Sequence, residues 1–244
     1  MNMKNILAIL GSVVAVFMLM PAAWGDGGIA LSSHNFAGTA GGGATSGLCT
    51  YCHTPHSAAS QSLLWNRALV TTTYSWTDPQ TTGGTNYPTF AGDTYKGISS
   101  KCLSCHDGSV SVGLVGHWNA GSNVDFGNGP VTGVFLIASG GSLDGNHPVA
   151  MPFPYLNAAN TYNGSTNGAE AVLSGWQNPV DPDIRLFNDD GLGNISAGAA
   201  IGQTGIECTS CHDVHNGPAA TGDFLLRGDL GGEADYICTK CHDK

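Results

Sequence analysis

Basic residues are scarce in this chain. Its 244 residues include eight Lys and Arg against 18 Asp and Glu, and the formal net charge at pH 7 is −10. A surface with this balance repels the phosphates of nucleic acids and of anionic lipid headgroups. The composition therefore argues against nucleic acid and anionic membranes as partners. It favours solubility, cationic partners, and contact with mineral or metal-ion surfaces.

Long apolar runs are also missing, apart from one near the start. Residues 6–20 are almost wholly apolar, follow the positive charge of Lys4, and precede small residues that end at Gly25. This order is typical of a secretory signal peptide, so we expect residues 1–25 to be removed. The run is too short for a comfortable membrane span, and no second run follows it. The sequence therefore predicts an exported protein with no stable membrane span.

No cysteine lies outside a five-residue sequence motif, here termed an attachment phrase, that occurs four times. The phrases read CTYCH (49–53), CLSCH (102–106), CTSCH (208–212) and CTKCH (238–242). Cys-x-x-Cys-His is the attachment sequence of a c-type haem. The two thiols bond to the vinyl groups on one edge of a porphyrin, and the adjacent imidazole binds the iron as the proximal ligand. The attachment residues are thus Cys49, Cys52, Cys102, Cys105, Cys208, Cys211, Cys238 and Cys241, and the proximal ligands are His53, His106, His212 and His242.

Eight cysteines could also form a disulfide framework, or paired zinc-binding knuckles. Neither use requires a histidine directly after every cysteine pair. The chain has nine histidines in 244 residues, and chance would place one after all four pairs about twice in a million. We therefore predict four covalently bound haem c groups. Their propionates would make the exported chain more acidic still.

Methionine is scarce where it could serve as a ligand. Four of the five methionines lie in the signal segment, which leaves Met151. The second axial ligand of a haem iron is usually His or Met, so at most one iron could have methionine. The histidines that remain after the four proximal ones are His34, His56, His117, His147 and His215. Five candidates for four irons favour bis-histidine ligation.

The surroundings of these five histidines differ. His56 and His215 each lie three residues after a proximal histidine, in CHTPH and CHDVH. We expect each to ligate a neighbouring haem, because neither can reach around the porphyrin that it flanks. The following proline holds His147 in extended backbone, which leaves its imidazole well defined. His34 and His117 compete for the last position.

The mature chain, 26–244, is predicted to form a single tetrahaem cytochrome domain with little regular secondary structure. Its 36 glycines give it poor helix propensity. We expect short α-helices around the Cys-x-x-Cys-His phrases, a few short β-strands, and a core formed by stacked haems. Residues 26–47 form a Gly-, Ala- and Ser-rich arm, and residues 109–205 form a Gly- and Asn-rich insert between the second and third phrases.

Three local patterns carry further structural expectations. Residues 62–76 are rich in β-branched and aromatic residues, which predicts a strand or hairpin limb whose rings pack against porphyrin. Ser99 or Ser100 can cap, and Gly108 can end, a helix of about two turns around the second phrase. Residues 131–138 read as a short strand.

The later part of the chain carries two more patterns. Asp235 can cap a last short helix through the fourth phrase. Residues 189–193 are rich in turn formers, and the longer stretch 181–194 faintly resembles a calcium loop. That stretch lacks the ordered ligand spacing of a calcium loop, so calcium is the weaker interpretation.

Several segments together resemble the multihaem cytochromes exported by metal-reducing bacteria. They are SSHNF, CHTPH followed by LLWN, CLSCHDG, NHP, CHDVHN followed by FLLR, and a terminal CTKCHDK. The chain is most similar to the tetrahaem, OmcE-like subunits of extracellular cytochrome filaments. The distal ligands that this resemblance implies are His34, His56, His147 and His215. It leaves His117 spare, and it says little about 109–205. Many relatives have another histidine in the LWN motif, where this chain has Arg67.

Six-coordinate irons leave no position for a substrate, so we expect electron transport rather than catalysis. Bis-histidine ligation also lacks the thioether that raises the reduction potential. The resemblance implies a low-potential conduit at the outer cell surface or outside the cell, polymerised into a haem filament. Its expected partners are redox proteins, further copies of the chain, and extracellular acceptors such as metal oxides. His34 is then expected to ligate a haem of the neighbouring subunit.

Two other functions stay open at this point. A soluble periplasmic tetrahaem shuttle would use the same ligands and act as a monomer. A haem reductase would need one iron with an open position, which the number of histidines disfavours.

Overall fold

The computed structural model describes most of residues 26–244. The described residues are 28–36, 47–58, 62–79, 87–118, 121–165, 175–178, 180–217, 225–231 and 235–243. The predicted signal segment, 1–25, lies outside these ranges, as does part of the predicted arm. Within them, no helix is both long and apolar enough to cross a membrane.

Both α-helices of the described part carry residues of an attachment phrase. Helix α1 spans Ser99–His106, and helix α2 spans Cys208–Cys211. Helix α1 confirms the predicted two-turn helix around the second phrase. Gly108, with φ +71°, lies just beyond its end, as expected for a residue that stops a helix. The predicted serine cap is wrong, because the N-cap is Ile98.

Short 3-10 helices supply the other helical segments. Part of the fourth phrase lies on one of them, Ile237–Lys240, where the sequence predicted a last short helix. Its N-cap is Tyr236, and Asp235 instead forms an ion pair with Lys240 at 2.6 Å. The others are Gly28–Leu31, Ser62–Leu64, Gly133–Phe135, Ser139–Gly141 and Tyr155–Asn157.

The strands are two to five residues long and pair antiparallel. They are β1 (Thr73–Tyr74), β2 (Phe90–Ala91), β3 (Leu114–Trp118), β4 (Gly121–Asp125), β5 (Met151–Pro152), β6 (Phe187–Asp189), β7 (Ile195–Ala197) and β8 (Thr204–Ile206). β1 pairs with β2, and β3 forms a hairpin with β4. The other four strands form one sheet in the order β5-β8-β6-β7. Regular structure is therefore sparse.

Buried apolar side chains form three separate clusters, and each one contacts an attachment phrase. The clusters are centred on Tyr74, Phe90 and Leu103; on Phe153, Ile184 and Leu226; and on Tyr51, Val115 and Phe126. Leu103 belongs to the second phrase. The second cluster packs against Cys211 and Cys241, and the third packs against Cys52. The protein core is thus divided among the four attachment phrases.

Of the two predicted strands, the one at 62–76 is confirmed only at β1, and the one at 131–138 is wrong. Residues 62–76 are extended into a paired strand only at β1, because Leu63 and Leu64 at the start of the segment have φ of +61° and +50°. Residues 131–138 contain a 3-10 turn instead of a strand. Gly133, with φ +66°, begins that turn.

The aromatic side chains predicted to face porphyrin mostly pack on one another. Ring centroids lie 4.7–6.5 Å apart within a cluster of Tyr74, Trp76, Phe90 and Tyr95. The exception is Trp65, whose ring lies 5.9 Å from that of His53 in an edge-to-face contact. β1 and β2 bring the aromatics of this cluster together, and their packing against porphyrin stays a prediction.

The turn predicted at 189–193 joins β6 to β7. The Asp189 carboxylate accepts the N–H of Gly191 at 2.9 Å, and the Asp190 carboxylate accepts the N–H of Asn194 at 3.1 Å. These carboxylates close the turn by hydrogen bonding to its backbone. The local chemistry of the stretch is therefore that of an Asx turn.

Candidate haem sites

The proximal histidine of the first phrase is held by a short antiparallel pairing with a later segment. His53 forms an isolated β-bridge with Trp65. On one side the N–H of Asn66 donates to the carbonyl of Cys52 at 2.9 Å. On the other, the carbonyl of Leu64 accepts from the residue after His53, also at 2.9 Å. The bridge fixes the backbone that carries the imidazole.

The third and fourth phrases repeat this pairing. His212 bridges Leu226, and His242 bridges Trp176. The flanking hydrogen bonds recur as Arg227 N–H to Cys211 O (2.8 Å), Asp213 N–H to Leu225 O (2.7 Å), Gln177 N–H to Cys241 O (2.8 Å) and Asp243 N–H to Gly175 O (2.9 Å). One local arrangement therefore builds three of the four sites. Sequence reasoning missed it, because the partner segment precedes the phrase in one case and follows it in the other two.

Each copy of the bridge requires an unusual backbone conformation. The residue just before the bridge partner has a positive φ, which is +50° at Leu64, +58° at Leu225 and +86° at Gly175. Residues other than glycine rarely adopt this region. At two of the three sites a leucine adopts this conformation. The flanking hydrogen bonds, and not the conformational freedom of a glycine, therefore stabilise the bend beside the histidine.

Backbone carbonyls fix which ring nitrogen of a histidine is free to bind a metal. The Nδ1 atoms of three predicted ligands lie within hydrogen-bond distance of a carbonyl oxygen. The pairs are His53 with Leu63 at 2.6 Å, His106 with Phe135 at 2.8 Å, and His147 with Pro148 at 3.0 Å. A carbonyl can only accept, so Nδ1 carries the proton and Nε2 keeps its lone pair. This arrangement is the usual support of a metal-binding histidine.

Three predicted distal histidines face three predicted proximal ones within the same chain. Ring centroids are separated by 6.3 Å for His53 and His215, 6.1 Å for His34 and His106, and 6.3 Å for His147 and His242. An imidazole nitrogen lies roughly 2.0–2.1 Å from a metal that it binds, with its ring centroid roughly 1.1 Å beyond, so two imidazoles on opposite sides of one metal would hold their centroids about 6.3 Å apart. The three pairs therefore fit one iron each.

His34 lies opposite His106 of its own chain, and the expectation that it ligates a haem of a neighbouring subunit stays a prediction. The segment that carries it is tied to the loop after the third phrase, where the Asn216 side chain donates to the carbonyl of Gly28 at 3.1 Å. Burial lowers the pKa of the His34 imidazole, and the neighbouring His106 lowers it further. The ring is thus neutral at pH 7, as a metal ligand must be.

The fourth pair is not brought together in the same way. His56 is exposed and makes no ring contact with another histidine of the described chain. The role of His56 as a distal ligand therefore stays a prediction. His117 lies in β3, where its backbone N–H donates to the Asn66 side chain at 2.8 Å. Met151 is buried in β5.

Cysteines of successive phrases lie beside one another. All eight thiols are free of disulfides. Burial raises the pKa of the Cys52 thiol to about 12, with a further contribution from Cys105 of the second phrase. The thiol of Cys102 hydrogen-bonds to that of Cys208 in the third phrase. The thiol of Cys211 interacts electrostatically with the fourth phrase. The attachment phrases thus adjoin in the order in which the sequence has them.

Apolar side chains lie exposed beside the histidine pairs. They include Leu63 and Leu64 beside His53, Val134 and Phe135 beside His106, and Leu31 beside His34, and each is at least half exposed. Apolar surface of this kind marks a place where a ligand or a partner binds. A large flat porphyrin at each histidine pair fits this distribution.

The described residues contain no convergent group of three or more His, Cys, Asp or Glu side chains that could hold a metal ion. All of the cysteines and histidines lie within the described ranges. Three of the four phrases place their histidine opposite a second imidazole, with the two cysteines of the phrase next to that histidine in sequence. This donor set suits haem c.

A buried carboxylate that sequence reasoning missed joins the second and third phrases. Glu207 is fully buried at the N-cap of α2. Its carboxylate accepts the N–H of Ser99 at 3.0 Å, the hydroxyl of Tyr162 at 2.7 Å, and the hydroxyl of Tyr95. The Ser99 hydroxyl in turn accepts the N–H of Cys208 at 3.0 Å. Glu207 therefore links the N-termini of both attachment helices.

Two glycines make room for this carboxylate cluster. A Cβ atom on Gly97 would overlap Tyr95 and Glu207, and one on Gly205 would overlap the ring of Tyr162. Burial raises the pKa of Glu207, although hydrogen bonds from the serine and the two tyrosines act in the opposite direction. No signal in the sequence pointed to these residues, because they come from three distant segments.

The sequence matches no protein-family model, and the search of curated proteins finds no match. The histidine pairs and the order of the attachment phrases are therefore the features of the chain that bear on its function.

Proposed function

We propose that this protein is a tetrahaem c-type cytochrome that carries electrons outward from the cell. The observation that carries the proposal is the spacing of three histidine pairs, 6.1–6.3 Å between ring centroids. Each pair joins the histidine of a Cys-x-x-Cys-His phrase to a histidine from a distant part of the chain. This is the arrangement that a six-coordinate haem c requires.

The residues of the chain have separate roles in such a site. The two cysteines of each phrase would hold the porphyrin covalently, and the two imidazoles would fill both axial positions. The bound haem would supply reversible one-electron chemistry. Carbonyl acceptors at Leu63 and Phe135 keep the Nδ1 protons of His53 and His106 in place. With both axial positions filled, electron transfer is favoured over substrate chemistry.

The order of the attachment phrases supports a conduit. Electrostatic interactions between cysteines link the first phrase to the second and the third to the fourth, and a thiol hydrogen bond links the second to the third. Haems attached at these positions would follow one another through the molecule. An electron that enters near one end of the series could then leave near the other.

The extracellular filament is the finer part of this proposal. Its support is the resemblance in sequence, together with the acidic, lysine- and arginine-poor composition that suits metal-ion and mineral acceptors. Redox proteins and further copies of the chain would be the other partners. Electron microscopy of the secreted protein tests it, and monomers alone at all concentrations would contradict polymerisation.

A soluble periplasmic shuttle is the second candidate, and one observation favours it. His34 pairs with His106 of its own chain, so no ligand from a neighbouring subunit is needed at that site. A monomer could then hold its haems by itself. Fractionation of cells into periplasm and medium distinguishes the two functions.

Intact mass in denaturant tests the haem content. The mature polypeptide plus four haems is the expected result. A matched variant with Cys238 and Cys241 both replaced by serine should carry three. Free thiols or bound zinc in the parent protein would contradict the whole proposal.

A further inference from the structure

More than half of the few basic residues outside the signal segment are buried. Lys and Arg are almost never fully buried unless they are paired. Outside the signal segment the chain has seven of them, and four are buried. The buried ones are Arg67, Lys101, Arg227 and Lys240, and Arg67 is only 2% exposed.

Arg67 differs from the two buried cations that have carboxylate partners. Lys240 forms ion pairs with three aspartates at 2.6–3.4 Å, and Arg227 lies 3.8 Å from Asp213. Within the described part of the chain, no carboxylate lies within ion-pair distance of Arg67. Its positive charge is therefore buried without a negative charge from those residues.

The guanidinium of Arg67 is nevertheless held in a defined position. Nη1 donates to the carbonyl of Val112 at 2.6 Å, and Nη2 donates to the carbonyl of Ser111 at 2.6 Å. The Nε–H has no hydrogen-bond partner. Carbonyl dipoles stabilise a cation but do not neutralise it, and a buried charge without a counter-charge is costly. The group is thus oriented and still able to bind an anion.

The surroundings of Arg67 indicate which anion this is. Arg67 lies two residues after Trp65, the bridge partner of His53. Its charge acts on the thiols of Cys52 and Cys105, which belong to the first and second attachment phrases. Asn66, the residue before Arg67, donates its backbone N–H to the carbonyl of Cys52 at 2.9 Å, and the carbonyls that hold the guanidinium belong to residues 111 and 112, just after the second phrase. The guanidinium is therefore close to the attachment phrases of both the first and the second haem. Each haem carries two propionate carboxylates, which an arginine fork binds well.

We propose that Arg67 binds a haem propionate at the junction of the first and second haems and raises the reduction potential there. This inference rests on the proposed function, because the anion belongs to a haem of the same protein. A fixed positive charge beside a haem favours the reduced state, which carries one more electron. Arg67 would thus give one haem of the series a higher reduction potential than bis-histidine ligation alone would give it.

Spectroelectrochemical titration of the intact tetrahaem protein tests the inference. Arg67→Gln removes the charge and keeps a side chain of similar polarity. We expect the equilibrium constant for reduction of one haem to fall at least tenfold, which is about 59 mV for one electron. Arg67→Lys keeps the charge and should restore most of the potential.

Arg185→Gln is the matched control, because Arg185 is an exposed arginine. This variant loses the same formal charge, but at a position where solvent screens that charge. The redox titration curve of the variant should therefore overlay that of the parent protein. Equal curves for Arg67→Gln, Arg185→Gln and the parent, with four haems present in each, would overturn the inference. A haem count other than four would contradict the proposed function instead.

Resonance Raman spectroscopy supplies a readout that does not depend on the potential. The propionate bending bands should shift in Arg67→Lys, because an ammonium cannot reproduce the arginine fork. They should stay unchanged in Arg185→Gln. If Arg67→Gln does not accumulate as a folded protein, Arg67→Lys decides the matter, and unshifted propionate bands in that variant would overturn the inference.

Discussion

The imidazoles of His53 and His215 lie with their ring centroids 6.3 Å apart and their planes 22° from parallel. One is the proximal histidine of the first attachment phrase, and the other follows the third phrase by three residues. A histidine in that position was expected to serve a haem other than its own, and this pair has the geometry to do so. It ties the first haem site to the third across most of the chain.

Replacing His215 with Ala should convert one haem to high spin without releasing it. The thioether bonds hold the porphyrin, while the distal imidazole only fills the sixth position. Electron paramagnetic resonance of the oxidised protein measures the change, and intact mass shows that four haems remain. His117→Ala is the control and should be spectrally silent. A low-spin spectrum of His215→Ala, or a high-spin haem in His117→Ala, would show that the ligands are assigned wrongly.

Replacing His34 with Ala should produce a high-spin haem in the monomer itself. His34 lies 6.1 Å from His106 of its own chain, measured between ring centroids, so no second subunit is required. The parent protein, held monomeric by dilution and checked by gel filtration, should be fully low spin. A high-spin signal in parent monomers that disappears on assembly would instead place the ligand in a neighbouring subunit.

Replacing Glu207 with Ala should lower the free energy of unfolding by about 3 kcal/mol, because buried hydrogen-bond donors lose their acceptor. The affected donors are Ser99, Tyr95 and Tyr162. Denaturant unfolding monitored by the Soret band measures the loss. Asp93→Ala, at an exposed position, should change stability little. An equally stable Glu207→Ala variant would mean that water replaces the carboxylate.

The same carboxylate should make stability depend on pH in a defined direction. Burial raises the pKa of Glu207 above its ordinary value of 4.5. The folded state then holds this proton more tightly than the unfolded state, so the contribution of the group falls as pH rises above 4.5 towards its folded pKa. Glu207→Gln cannot titrate. The stability of the parent protein relative to this variant should therefore decline from pH 4.5 towards neutrality, and a constant difference would contradict the raised pKa.

The chemistry of the attachment phrases follows from the sequence by itself. Two cysteines and a histidine within five residues would reach one porphyrin whatever the rest of the chain does, because the spacing is local. Local chemistry also predicted the helix Ser99–His106 and its end at Gly108. The turn at 189–193 was predictable for the same reason, since its aspartates bond to the backbone a few residues away.

Only the tertiary structure decided which histidine faces which. His34 and His106 meet across 72 residues of chain, and no local spacing distinguishes that pairing from one between subunits. The aromatic cluster around Phe90 and the carboxylate of Glu207 are likewise assembled from distant segments. Contacts of this kind depend on which distant segments meet when the loops between them close. The free energy of closing a loop changes only slowly with its length, so the separation of two segments in the sequence does not show whether they meet.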